Sequence, residues 1–239
     1  MLGKNKIVEI LDTTLKTGGD YGELFFENTK NNVYLFDEGK VSRISSNTIY
    51  GCGIRIFKKD KCVYGYTNDL TFKGLMKLAS TLKDSFEGKQ EYQVAPLKVV
   101  RSKNKNLPKI NYDSIPLDNQ FSLIKEAYQA AKDYDEKITK VDIRYSTVDK
   151  KVEIYNTDGK ICKDRHVRGR VFISAIATKD GIMQENGEGP GAQKGFEFFK
   201  DDIDLKEVAI KAAKSALIML DAIDCPSGEM PVIIDNGFG

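Results

Sequence analysis

Residues 49–69, IYGCGIRIFKKDKCVYGYTND, decide the fold. From Ile49 to Phe57 apolar, β-branched and aromatic residues dominate, with glycines at 51 and 53. The charged cluster Lys58–Lys61 is a solvated turn and CVYGYT returns as its partner, so the stretch reads as an antiparallel hairpin. Tyr66-Thr67-Asn68-Asp69 then leads into LTFKGLMKLASTL (Leu70–Leu82). Leu75, Leu78 and Leu82 fall on one helical face there, with Asn68 or Asp69 as N-cap. A hairpin feeding an amphipathic helix is the unit of an α+β protein, and the chain extends it in both directions.

Upstream, Ile7, Ile10, Leu11 and Leu15 have helical spacing between about Lys4 and Lys16, and Gly18-Gly19 ends that helix. Tyr21–Asn28 and Asn32–Asp37 are rich in aromatic and apolar residues and read as two strands. Glu38-Gly39 marks a turn before KVSRISS, where Val41 and Ile44 alternate imperfectly with polar neighbours. Downstream of residue 84 the character changes. Lys and Asn are abundant, Pro96 and Pro108 interrupt regularity, and only VAPLKVV hints at an extended piece. Pro116 opens a helix through Tyr134, with Phe121, Ile124, Ala127, Tyr128 and Ala131 facing inward. Strands follow at Ile138–Thr147, Lys151–Asn156 and Arg165–Thr178, with Thr157-Asp158-Gly159 as a tight turn. Leu205–Ile223 is a helix whose core side carries Val208, Ala212, Ala216, Met219 and Ala222. The expectation is an α+β fold of two subdomains, each an antiparallel or mixed sheet packed with helices. The boundaries are 1–85, a linker or strap at 86–115, and 116–225. No repeat relates the halves.

The bulk numbers exclude several classes. Of 239 residues, 41% are hydrophobic and 30% charged, ordinary for a globular protein. A net charge of +2 with interspersed signs offers no nucleic-acid footprint. No apolar run approaches the roughly 18 residues that span a bilayer. The start, MLGKNKIVEILDTTLK, has acidic residues among its apolar ones and no cleavage site for a signal peptide. A cytoplasmic location is expected, with neither nucleic acid nor membrane as partner.

Side chains suited to catalysis are scarce. Cys52, Cys62, Cys162 and Cys225 form no paired ligand spacing and read as small buried hydrophobes. His166 is the only histidine and reads as a strand-surface residue. NGEGPGAQKG (Asn186–Gly195) fails the phosphate-loop pattern, because Lys194 is followed by Gly195. It reads as a mobile loop in which Gly187 and Gly189 let backbone approach a ligand. Asn68 and Asp69 could hold a substrate backbone or a partner, or cap the next helix. Arg55 lies on a strand among apolar residues: facing inward it needs a carboxylate, facing outward it needs none. Glu23, Glu27, Asp37 and Glu38 form no evident acid–base pair. Arg55, Asn68, Asp69, Gly187 and Gly189 are therefore the candidates for contact with a substrate or partner; no catalytic or metal-ligating residue is assigned.

Residues 230–239, MPVIIDNGFG, combine an apolar strand (Met230–Ile234) with a turn signal. The next element is expected beyond Gly239, so the chain reads as the N-terminal portion of a longer protein.

Several stretches together resemble the TldD/PmbA family of zinc metalloproteases, also called modulators of DNA gyrase. They are Asp37, Gly39 and Lys40; Ser45 and Ser46; Gly51, Gly53 and Arg55; Tyr66 to Asp69; Asn156 to Gly159; ENGEGPGAQKGFEF; and SALIMLDAIDCPSGEMPVII. CPSGEMPVII resembles the TldD branch in particular. The resemblance implies a helix bearing HExxxH after the GFG turn, in a metalloprotease domain that 226–239 begins. Zinc is then expected in the intact parent and no cofactor in this chain, which as given would be inactive. It further implies a homodimer, or a heterodimer with a PmbA-like paralogue, enclosing a cavity for short unfolded peptides held by pairing with sheet edges. The rival reading is a non-catalytic binding or scaffold subunit of such a complex. A DNA-associated regulator rests on the family's nickname alone, and the near-neutral charge opposes it.

Overall fold

The computed structural model describes residues 2–100 and 106–234. Its long arms start from turn chemistry. Glu38 and Gly39 both adopt positive φ, 48° and 71°, the geometry that lets a two-residue turn match strand twist. They join β1 (Tyr21–Asp37) to β2 (Lys40–Lys58), and a second turn leads to β3 (Lys61–Thr67). Asp180 and Gly181 do the same between β6 (Lys160–Lys179) and β7 (Ile182–Glu188). The helices are α1 (Lys4–Leu15), α2 (Phe72–Lys83), α3 (Leu117–Lys132) and α4 (Leu205–Leu220). With β5 (Ile138–Asn156) and the two-residue strands β4 (Lys98–Val99) and β8 (Gly191–Ala192), the strands form one sheet. The order is β3-β2-β1-β5-β6-β4, with β7 and β8 also pairing β6; only β4–β6 is parallel.

The α+β class is as expected, but the strands are longer than the apolar runs. Tyr21–Asn28 and Asn32–Asp37 are one strand, Ile49–Phe57 is the end of another, and β5 absorbs the polar gap at 148–150. Backbone pairing explains this. Asn28–Asn32 are flanked by β2 on one side and β5 on the other, so their N–H and C=O groups have partners whatever the side chains are. The asparagines also bond across strands: Asn31 Nδ2 to Asn47 at 3.0 Å and Asn32 Nδ2 to Thr147 at 3.2 Å.

Register puts most of the buried apolar strand residues on one face. Leu24 lies opposite Ile54 and Tyr155, and Tyr34 opposite Tyr145. Tyr145 in turn lies opposite Val171. On that face sit two cores. One, with α1 and α2, gathers Ile10, Leu11, Leu24, Ile54, Ile56 and Leu75. The other, with α3 and α4, gathers Tyr34, Phe36, Ile124, Tyr145, Ile173 and Ala212. The second holds a buried polar chain: the Tyr145 hydroxyl donates to Gln120 at 2.7 Å, whose amide donates to the Tyr112 carbonyl at 3.0 Å. Glu197 is clasped by the backbone N–H groups of Lys109, Ile110 and Gly195 at 2.9–3.0 Å, tying the strap to the turn ahead of α4. Burial works to raise its pKa, yet these donors hold the carboxyl below the ordinary glutamate range.

Several expectations need correction. The N-cap of α2 is Thr71, whose hydroxyl accepts from the Gly74 N–H at 3.1 Å, and the helix starts at Phe72. The stripe of α4 is Leu205, Ala209, Ala212, Ala213 and Ala216; Met219 is exposed in its last turn, and Ala222 lies beyond the helix end at Leu220. Only Cys52 is fully buried, while Cys62 and Cys225 are exposed. The glycine-rich stretch is not a free loop, since β7 and β8 pair it to β6. Met230–Ile234 is irregular and its apolar side chains are exposed, so the closing strand is absent there. The expected turn at 236–239 lies outside the described residues.

Candidate functional site

All four α-helices lie on one face of the sheet, which leaves the other face bare. Alternation along each strand sends every second side chain there. Two neighbourhoods on it differ in chemistry.

Near the β1–β3 end acidic and basic residues share rows, Glu23 lying opposite Arg55. Arg55 points outward and lies over the rings of Phe57 and Tyr64, 6.0 and 5.9 Å from their centroids. It is exposed and makes no ion pair among the described residues, which answers the orientation question without a buried carboxylate. Glu27 accepts from the Thr29 hydroxyl at 2.6 Å and pairs with Lys150 at 3.1 Å. Burial works against the charged form of Glu27, but these two partners hold its carboxyl below the ordinary range. Tyr21 donates to Glu23 at 3.0 Å, and burial leads the causes that push its phenol up to about 12.

Toward the β1–β2 turn, charge is unmatched. Leu35 is flanked by Arg43 on β2 and Arg144 on β5, and Arg144 lies opposite Phe172 on β6. The next row is Ser45, Val33, Ser146 and Arg170; the row beyond ends in Val148 opposite Arg168. The four arginines are exposed. Arg170 Nε donates to the Gly189 carbonyl at 3.2 Å, whereas Arg43, Arg144 and Arg168 make no hydrogen bond or ion pair among the described residues. A depression of about 480 Å³ runs between Ser146, Val148, Arg168, Arg170, Gly189 and Gly191.

The candidates from sequence are thus divided. Arg55 is at one end of the bare face and Gly187 and Gly189 are beside Arg170 and Phe172 at the other. A Cβ on Gly187 would come within 2.8 Å of the Phe172 ring, and one on Gly189 within 2.9 Å of the Arg170 guanidinium. Small size there lets both long side chains lie flat. Asn68 Oδ1 sits 3.3 Å from where a Cβ on Gly51 would be, so it packs over that glycine. Asp69 is engaged locally: its Oδ1 accepts from the Thr71 N–H at 3.0 Å, and Thr71, side chain first and backbone second, holds its carboxyl below the usual range. The four unmatched arginines were missed. The signal was present in RHVRGRV, since an Arg-x-Arg spacing in a strand puts both residues on one face.

Among the described residues no group of three or more His, Cys, Asp or Glu is placed to hold a metal ion. His166 has Asp164 at 3.0 Å from Nε2 as its carboxylate neighbour. Burial pushes the Cys52 thiol up to about 12, the opposite of nucleophile activation.

Two family models match in order: the PmbA/TldA metallopeptidase domain 1 over residues 22–85 and the PmbA/TldA metallopeptidase central domain over 110–220. The chain belongs to the PmbA/TldD family. Among its relatives, a metalloprotease TldD homolog of Haemophilus influenzae is 25% identical over 243 residues, covering 99% of this chain and 50% of that protein. A Methanocaldococcus jannaschii metalloprotease is 25% identical over 240 residues, covering 98% and 51%. A crystal structure of a Bacteroides thetaiotaomicron protein named as a modulator of DNA gyrase superposes with a TM-score of 0.71 at 16% identity, over 91% of this chain and 50% of that one. At that identity the likeness concerns the fold. The chain spans about half the length of the curated relatives it matches. The name metalloprotease implies a metal in this PmbA/TldD family, and the described residues do not furnish a site for one. No helix among them is long and apolar enough to cross a membrane.

Proposed function

We propose that this chain is the N-terminal half of a TldD-type zinc metallopeptidase that processes short unfolded peptides, and that its own part is to shape the dimer and the substrate cavity. The observation that carries the reading is the ordered match of two metallopeptidase family models, with named metalloproteases aligned over half their length. The bare sheet face supports it. So does the edge of β2, where residues 40–51 pair only with β1 among the described residues. An extended peptide can add a strand to such an edge through its backbone, which gives affinity without demanding a sequence. The metal ligands belong to the metalloprotease domain that residues 226–239 would begin, the setting is cytoplasmic, and the partner is a second copy or a PmbA-like paralogue.

Sequencing the parent gene past Gly239 tests this reading. An HExxxH segment shortly after it is expected, together with one zinc per intact chain and none bound stoichiometrically to these 239 residues. A parent that continues without the motif would instead make the protein a non-catalytic binding subunit.

A further inference from the structure

We infer that the arginine end of the bare face is a seat for acidic extended peptides, with carboxylate side chains of the bound segment meeting Arg43, Arg144, Arg168 and Arg170. This rests on the peptide-handling reading above and adds the chemical class of the peptide.

Several neighbouring charges are balanced locally. Lys140 pairs with Asp37 and Asp142, Lys150 with Glu27, and Arg165 with Asp149. The four arginines depart from that pattern. Three make no hydrogen bond or ion pair among the described residues, and the fourth touches only a carbonyl. Strand register places them in three successive rows of one face, and those rows carry no carboxylate. Like charges gathered this way repel one another, and an anion across the face relieves that repulsion while accepting forked hydrogen bonds.

Occupant size follows from what borders the patch. The row toward the β1–β2 turn carries Asp37 opposite Asp142, and the rows on the other side reach Glu27 and Asp164. The basic zone is therefore only a few rows deep. A continuous phosphate backbone crossing it would meet carboxylates on both sides, whereas a short segment with alternating carboxylates fits between them. Leu35, Val33, Val148 and Phe172 stand between the arginines, and alternation of charged and apolar side chains is what an extended peptide presents to a sheet. The free edge of β2 begins beside Arg43, so a strand added there brings alternate side chains onto this face.

The test is fluorescence anisotropy on the purified 239-residue chain. Its probes are a short labelled peptide alternating Glu with Val, its Gln-for-Glu counterpart, and a labelled single-stranded oligonucleotide. The Glu peptide is expected to bind, to weaken with added salt, and to outcompete the Gln peptide. The double variant Arg144→Gln, Arg170→Gln should weaken it by about tenfold, ~1.4 kcal/mol. The variant Lys77→Gln, Lys214→Gln makes the same charge change on exposed helical positions and should leave binding unaltered. Equal binding of the two peptides overturns the acidic preference and leaves the peptide-handling reading standing. Binding of neither removes both. Equal loss in the two double variants reduces the effect to net charge and overturns the site. Tighter, arginine-dependent binding of the oligonucleotide assigns the face to nucleic acid instead. Unchanged melting of the variants certifies that each compares folded protein.

Discussion

The same strands present two surfaces of opposite character. On the helix-covered side Leu24, Tyr34 and Tyr145 are packed into cores, and the buried Tyr145 hydroxyl has its partner in Gln120. One residue along on the bare side, Val33, Leu35 and Arg144 have no helix over them. Burial sets the covered face, so its residues report on stability. The bare face contributes little to the fold, so an unmatched charge there costs little to keep and is free to serve binding.

Substitutions sharpen that contrast. Leu24→Ala, at a site with no exposure, is expected to cost about 2–5 kcal/mol through lost transfer energy and a residual cavity. Denaturant melts check it, and a loss below about 1 kcal/mol would mean that this core is loosely packed. Glu197→Ala leaves three backbone donors without an acceptor and should cost about 1–3 kcal/mol. The Glu197 carboxyl has a depressed pKa in the fold, so its contribution is complete above the unfolded glutamate value, 4.5, and fades as pH falls through the lower folded value. The difference between wild type and Glu197→Gln should therefore shrink on acidification; a difference that grows would refute the clasp. Thr71→Ala removes the α2 cap for about 1 kcal/mol, and an unchanged melt would show the cap to be idle. Smallest of all, Arg144→Gln should change stability by no more than about 0.5 kcal/mol. A large destabilisation there would erase the distinction between the faces.

How much of this was legible in the sequence depends on which force placed each residue. Elements driven by apolar periodicity were readable: α1 and α3 lie close to their expected bounds, and β2 turns into β3 within the charged cluster Lys58–Lys61 as expected. Elements driven by pairing were not. Asn28–Asn32 and Val148–Lys150 belong to strands because neighbours on both sides satisfy their backbones, a non-local fact that local composition does not carry. The glycine stretch was misread for the same reason, since β6 turns it into strands. Of the candidate residues, Arg55 was singled out as unusual, but its orientation was not legible. Asp69 turned out to serve its own turn. The arginines were invisible one at a time, because only strand register assembles Arg43, Arg144, Arg168 and Arg170 from three separate segments.

The half-paired edge of β2 has a consequence for solvent exchange. Along an antiparallel border strand, amides alternate between pointing at the neighbour and pointing at water. Between Val41 and Tyr50, deuterium uptake should therefore follow a period of two, every second proton leaving early while its neighbours wait on opening of the β1–β2 ladder. A bound extended chain would slow the early set alone, writing its own register into the exchange pattern residue by residue.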